Sequence, residues 1–281
     1  MTQPPAQMRS VPDAVRAAHM TTDELREHFL IPNVFRSGEV ILHHLDIDRV
    51  VLGGATPTTA PLELRGPDSI ASSYFAERRE IALLNVGGPG SVIVDRQTFA
   101  CAPRDAMYVG RGSKDVRVES DSATWPSRFY VVSYPAHVAH PTVHITHDRA
   151  DAMQLGSAEQ ANRRRLAKYI HPGITPTAQL LMGVTELAEG NVWNTMPAHR
   201  HTRRTEVYLY FDLAPDAFVV HLMGEPHETR HLIVRDGDVV LSPPWSIHAG
   251  CGTSNYSFCW TMGGENQDFA DMQGVDMRVL R

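Results

Sequence analysis

The run His199-Arg-His201, with Glu206 shortly after it and His248 in a separate stretch, limits what this chain can become more than any other feature. Three imidazoles and a carboxylate are donors that borderline divalent metals take from proteins. In an extended strand, residues two apart face the same way, so His199 and His201 can grip one ion. Glu206 lies an odd number of residues beyond His201, and a regular strand would send it to the opposite face. The intervening Thr202-Arg-Arg-Thr205 must therefore turn or bulge for Glu206 to join the site. His248 ends the pattern Gly237-x5-Pro243-x-Trp-x-x-His248. A lone histidine is ordinary in a core or on a surface; the joint spacing is what favours a metal site.

The spacing His-x-His-x4-Glu, followed by Gly-x5-Pro-x4-His, resembles the two half-motifs of the cupin β-barrels. Trp245 stands where the second half-motif usually carries glycine. The resemblance implies an all-β fold of the double-stranded β-helix, or jelly-roll, type with a few short helices.

At 281 residues the chain can form one large domain or two of ordinary size. A content of 42% hydrophobic and 21% charged residues is that of a globular protein. The net charge of −6 argues against a nucleic-acid surface, and Arg163-Arg-Arg165 reads as a solvated face. Cys101, Cys251 and Cys259 are odd in number and form no C-x-x-C, which suits a reducing cytoplasm. Cys251, close to His248, reads as a buried inert thiol. Met1 to Met20 lacks the apolar core of a secretory signal, and no stretch reaches transmembrane length, so no membrane partner is expected.

Thr21-x-x-Glu24 is a capping-box pattern that predicts a short helix over Thr22 to Phe29, stopped by Pro32. Residues 1–35 read as an arm laid on the body or on a neighbouring subunit. Glu77-Arg-Arg-Glu80 can be laid on Arg203-Arg-Thr-Glu206, with Glu80 over Glu206. Further on, Asp105 to Asp115 falls on Asp238 to His248. Ser73 and Phe75 then replace the two histidines, and Asp115 replaces the third. Such self-similarity predicts tandem barrels: residues 36–150 without metal and residues 176–281 with it. Ser157 to Tyr169 has helix-forming composition and predicts a linker helix within 151–175. His137, His140, His144 and His147 read as scattered surface histidines, because Pro141 and the β-branched Val143 and Ile145 oppose a helix. In the second half, Glu206 to Phe211 alternates, so Tyr208 and Tyr210 share the face of Glu206 and should line the barrel interior.

Longer runs narrow the reading. Trp193-Asn-Thr-Met-Pro197 before the histidine pair, Arg203-Arg204, Glu206-Val-Tyr208, and Met223-Gly-x-Pro226-x-Glu228-Thr-Arg-His231 resemble the 5-keto-4-deoxyuronate isomerases. So do Ser242-Pro-x-Trp-Ser-Ile-His248, Gly264-Glu-Asn-Gln267 and, in the first half, Ser73-Tyr-Phe-x-Glu-Arg-Arg-Glu80 and Arg104-Asp105. The likeness covers nearly everything beyond the first twenty residues. It implies tandem cupin barrels assembled as a homohexamer, with one zinc ion per chain on His199, His201, Glu206 and His248. It also implies a role in pectin breakdown, converting 5-dehydro-4-deoxy-D-glucuronate to 3-deoxy-D-glycero-2,5-hexodiulosonate.

The residues suit an aldose–ketose isomerisation. A divalent cation can stabilise charge on an enediolate, and a positioned base must carry the proton between adjacent carbons. Tyr208, His231 and Glu265 are candidates for that proton, and Arg230 or Arg204 for a guanidinium fork on the uronate carboxylate. Two rivals stay open at this level: an iron-dependent cupin dioxygenase and a non-catalytic sugar-binding cupin, since cupins host many functions.

Overall fold

A computed structural model describes residues 8–265 and 271–281. The chain divides into two compact units. The first comprises the described residues up to Arg9, Val34–Asp151 and Tyr169–Leu181; the second comprises Ser10–Asn33, Ala152–Lys168 and Met182–Arg281.

Each unit is a pair of sheets. The first has a seven-stranded sheet whose centre runs Val40–Leu45, Val51–Ala55, Phe129–Pro135, Arg79–Asn85, Ala106–Val109. Its four-stranded partner runs Leu62–Glu63, Val116–Ser120, Gly90–Val94, Gln97–Cys101. Val40, Ile81, Leu83 and Val131 from one sheet share a core cluster with Val92, Val94, Val116 and Val118 from the other. The second unit repeats the order: Arg164–Ile170, Leu181–Leu187, Ser257–Gly264, Arg204–Phe211, Val239–Ser242 at the centre of its larger sheet. Its smaller sheet runs Glu228–Val234, Val219–Glu225, His248–Gly252, Trp193–Arg200, Gln273–Gly274. The chain is all-β, built of tandem cupin barrels, as expected.

Three expectations need correction. No helix spans Ser157 to Tyr169: Arg164–Ile170 is a strand, flanked in its sheet by Asp151–Leu155 and Leu181–Leu187. Pairing on both sides outweighs a helical composition. Second, Glu80 is not the counterpart of Glu206. Ile81 pairs with Val109 as Glu206 pairs with Ser242, and Asn85 N bonds Asp105 O as Tyr210 N bonds Asp238 O, each at 2.9 Å. Asp105 does stand over Asp238, but the strand before it is shifted by one. A shift of one residue turns every side chain over. Ile81 and Leu83 therefore point into the first core. Glu80 accepts from Tyr108 Oη at 2.8 Å and from the N–H groups of Ala178, Gln179 and Leu180 at 2.8, 2.8 and 2.9 Å.

Third, Val116 and not Asp115 matches His248. Ser120 pairs with Gly90 as Gly252 pairs with Val219, which makes Val116 the equivalent of the residue that opens His248–Gly252. Asp115 instead accepts from Arg117 Nε at 2.9 Å. Phe75, Ile81 and Val116, all buried in the first core, give that unit an apolar interior where the second has histidine and glutamate side chains.

From Ser10 to Asn33 the amino-terminal arm belongs to the second unit. Its helix Thr22–Phe29 carries the full capping box: Glu24 N donates to Thr21 Oγ1 at 3.3 Å, and Thr21 N donates to Glu24 Oε2 at 2.8 Å. Leu30 and Ile31 then pair with Val240 and Val239. This seats the arm on the sheet that carries Glu206.

Candidate metal centre

Trp193–Arg200 and His248–Gly252 are antiparallel neighbours, with Asn194 opposite Gly250 and His199 opposite His248. Between these pairs the register shifts, because five residues on one strand match two on the other. The irregular stretch holds Thr195 at φ +60° and a cis Met196–Pro197 peptide. It places His199 across from His248. The chain then turns at Thr202 and Arg203, where Arg204 N reaches His201 O at 3.4 Å. This is the required turn, and it delivers Glu206 on the other sheet. Each sheet thus contributes to one group: His199 and His248 from the smaller, Glu206 from the larger.

His199, His201, Glu206 and His248 present ligand atoms that all lie within 4.8 Å of one another. Among the described residues no other cluster of three or more His, Cys, Asp or Glu side chains has this geometry, and the histidines at 137, 140, 144 and 147 form none. His248 Nε2 lies 3.0 Å from Glu206 Oε2 and 3.0 Å from His199 Nε2; His201 Nε2 lies 3.3 Å from Glu206 Oε2. His201, Glu206 and His248 are buried, and only His199 is partly open. His201 Nε2 and Glu206 Oε2 are near one another yet without a properly directed hydrogen bond. Buried polar atoms are rarely left so, and converging lone pairs are what a divalent cation would satisfy. The residues fit a metal ion.

The electrostatics agree. Burial pushes His199 down to about 4 against the pull of Glu206, and drives His248 well below its ordinary value. Burial alone would raise the Glu206 carboxyl, but the facing His248, His201 and His199 hold it down at about 2. His199 and His248, kept neutral by burial beside a carboxylate, are the deprotonated donors that metal binding needs.

Outer partners orient the ligands. Ser242 Oγ is 3.0 Å from His248 Nδ1, and Asp271 Oδ1 is 3.2 Å from His201 Nδ1. Arg204, fully buried, holds Asp271 through Nη2. Tyr208 and Tyr210 line the interior as expected. The Tyr208 ring lies 5.4 Å from that of His248. Burial, then the Glu206 charge, pushes Tyr208 well above its ordinary value. Tyr210 Oη sits 2.7 Å from His221 Nδ1.

The remaining candidates lie elsewhere. His231 is exposed on Glu228–Val234, opposite Leu222, and Glu265 is exposed just after its strand. Neither is brought into the ligand group. Arg230 donates to the carbonyls of Ala17, Ala18 and Met20 in the arm. Asn266 and Gln267 of the family-like motif lie outside the described residues. Asp271 and His221 were not signalled by any spacing, and Thr195 and Ser242 only as parts of longer runs.

The KduI/IolB family model matches residues 29–277. A Lachnoclostridium phytofermentans protein named 4-deoxy-L-threo-5-hexosulose-uronate ketol-isomerase is 46% identical over 98% of this chain and 100% of its own length. The Rhizobium meliloti 4-deoxy-L-threo-5-hexosulose-uronate ketol-isomerase 2 is 47% identical over 98% and 97%. Among solved structures, an IolB-like protein from Salmonella typhimurium superposes with a TM-score of 0.73 at 16% identity, covering 88% of this chain and 96% of that one. That likeness shows the fold. A family match along most of the chain, with relatives near half identical from end to end, means that the chain belongs to the KduI/IolB family.

Proposed function

We propose that this chain is a ketol-isomerase that converts 4-deoxy-L-threo-5-hexosulose uronate to its 2,5-diketo isomer, with one zinc ion held by His199, His201, Glu206 and His248. In the terms used above, the substrate is 5-dehydro-4-deoxy-D-glucuronate and the product 3-deoxy-D-glycero-2,5-hexodiulosonate. The observation that carries the reading is the buried group of three histidines and one glutamate, in a chain aligned end to end with relatives bearing that enzyme name. The reaction is an internal oxidation–reduction. The aldehyde carbon gains a hydrogen and becomes a hydroxymethyl group, while the neighbouring carbinol carbon loses one and becomes a ketone. No oxidant, reductant or organic cofactor is needed.

A bound zinc ion would supply Lewis acidity toward the adjacent carbonyl and hydroxyl oxygens. The chain's own residues do the rest. Of Tyr208, His231 and Glu265, Tyr208 alone lies inside the barrel beside the ligands, and we assign it the proton in transit, at Oη. Arg204 Nε and Nη1 are buried without hydrogen-bond partners among the described residues, which leaves donors for the uronate carboxylate besides the Nη2 that holds Asp271. Arg230 already serves backbone carbonyls.

A homohexamer, a cytoplasmic site and a part in pectin breakdown complete the proposal, on the strength of the resemblance and of three free cysteines. No helix among the described residues is long and apolar enough to cross a membrane. The test is to supply the unsaturated uronate that opens spontaneously to the substrate and to follow product by NMR in heavy water, alongside elemental analysis. Zinc near one equivalent per chain and isomer formation with deuterium at the carbon receiving the proton are expected. No isomer from fully metallated protein would overturn the assignment.

A further inference from the structure

Inside the second barrel, beside the ligand group, sits a histidine that the reading so far does not use. His221 lies on Val219–Glu225, opposite Gly250 of the strand that His248 opens, and has no exposed surface. Its ring is 5.6 Å from that of Tyr208, and it is near enough to Glu206 and His248 for their charges to act on one another. Nδ1 lies 2.7 Å from Tyr210 Oη. Nε2 is buried and has no hydrogen-bond partner among the described residues.

These contacts determine the tautomer. A buried phenol must place its proton on an acceptor, and His221 Nδ1 is the acceptor within reach of Tyr210 Oη among the described residues. The Tyr210 hydroxyl therefore donates to Nδ1. In the neutral ring the hydrogen is then on Nε2. The result is a fixed N–H donor in the barrel interior, next to the ligand group and without an acceptor among the described residues.

A buried donor without a partner costs roughly 1–3 kcal/mol, and Leu or Phe would pack among Tyr208, Tyr210 and Phe258 without that penalty. Buried polar groups left unsatisfied at a site point to something that arrives to satisfy them. We propose that His221 is a substrate-binding residue, whose Nε2–H donates to an oxygen at the reacting end of the sugar, and that Tyr210 is the positioning residue that holds the donor tautomer.

The inference rests on the isomerase reading and deepens it. A neutral imidazole N–H is suited to an oxygen that gains negative charge as the enediol forms, because the hydrogen bond strengthens in the transition state. Its removal should reduce kcat more than it raises KM.

The experiment uses full-length, zinc-loaded protein, with [15N]histidine NMR beside kinetics. Wild-type His221, assigned by the resonance lost in His221→Gln, should show the Nε2–H tautomer at pH 6–8 (chosen as about neutral). His221→Leu should bind zinc as wild type does, with kcat lower by on the order of a hundredfold and KM changed only about severalfold. His221→Gln, which returns an amide N–H at similar reach, should recover at least about tenfold of that loss. Tyr210→Phe should lose the single tautomer and lower kcat while zinc content stays constant.

Wild-type kcat in zinc-replete His221→Leu would overturn the assignment, and so would an Nδ1–H tautomer in wild type. Should His221→Leu fail to fold, the wild-type tautomer and the His221→Gln rates decide the matter. If wild type itself does not isomerise the uronate, the functional reading fails. If wild type turns over and the variants match it, only the role of His221 fails.

Discussion

Ser242 Oγ lies 3.0 Å from His248 Nδ1, and the other nitrogen of the same ring lies 3.0 Å from Glu206 Oε2. For a ring that binds metal through Nε2, Nδ1 carries the hydrogen and Ser242 accepts it. This contact fixes both tautomer and ring orientation. Ser242→Ala should weaken zinc affinity by about 10–100-fold, with the fold retained. Competition against a chelator of known affinity measures it. Unchanged affinity would mean that strand pairing alone orients His248.

The two units should differ in metal content for a physical reason. The second holds four donors at one point, whereas the first has Phe75, Ile81 and Val116 in an apolar interior. His248→Ala should lower zinc content and activity together, while Asp115→Ala should change neither, because Asp115 pairs with Arg117 outside that core. Elemental analysis of both variants checks this. A second tightly held ion lost in Asp115→Ala would overturn the correspondence of the two barrels.

What the sequence revealed follows from how local each signal was. The grouping of His199, His201, Glu206 and His248, which could hold a metal ion, was legible because strand periodicity and motif spacing act over a few residues. The odd offset of Glu206 even required the turn found at Thr202 and Arg203. Arg164–Ile170 was misread because its strand state is imposed by neighbours in the sheet and not by its own composition. Glu80 was misaligned because matching charged residues says nothing of register, which backbone pairing sets. Asp271 reaches His201, and His221 meets Tyr210, only through folding, so no spacing could announce them.

Acid should weaken the metal-free protein partly through His221. Burial pushes this ring down to about 3 from its ordinary 6.5, against the opposing pull of Glu206; Tyr208, Tyr210 and His248 also face it. Between those two values the unfolded chain carries a proton that the folded chain lacks. Stability therefore rises with pH in that window and falls as pH drops from 6.5 toward 3. The slope from one such group is at most about 1.4 kcal/mol per pH unit. Urea melts of metal-free wild type and His221→Leu between pH 4.5 and 6.5 (about the upper part of the window) should show a shallower dependence in the variant. Parallel dependences would mean that His221 is protonated in the folded state.

Arg230 provides the sharpest contrast between a motif's promise and a residue's surroundings. A guanidinium in a family-like run invites a role on the substrate carboxylate. In the structure, Nη1 donates to the carbonyl of Ala18 at 2.8 Å and of Ala17 at 3.3 Å, and Nη2 to that of Met20 at 2.5 Å. These carbonyls belong to the end of the helix Ala14–Ala18 and the residues just after it, where backbone acceptors lack helical partners and a cation is favoured. Arg230 thus ties the arm to the second barrel. Arg230→Ala should destabilise the arm by about 1.5–3 kcal/mol, the worth of hydrogen bonds to a charged group. Limited proteolysis should then cut near Ala14 to Met20 sooner than in wild type, with zinc content unchanged and KM for the uronate within about twofold. Arg204→Ala should raise KM instead, by about tenfold or more if the carboxylate sits there. A KM raised to that extent in Arg230→Ala, with the arm still protected from protease, would transfer the carboxylate to Arg230.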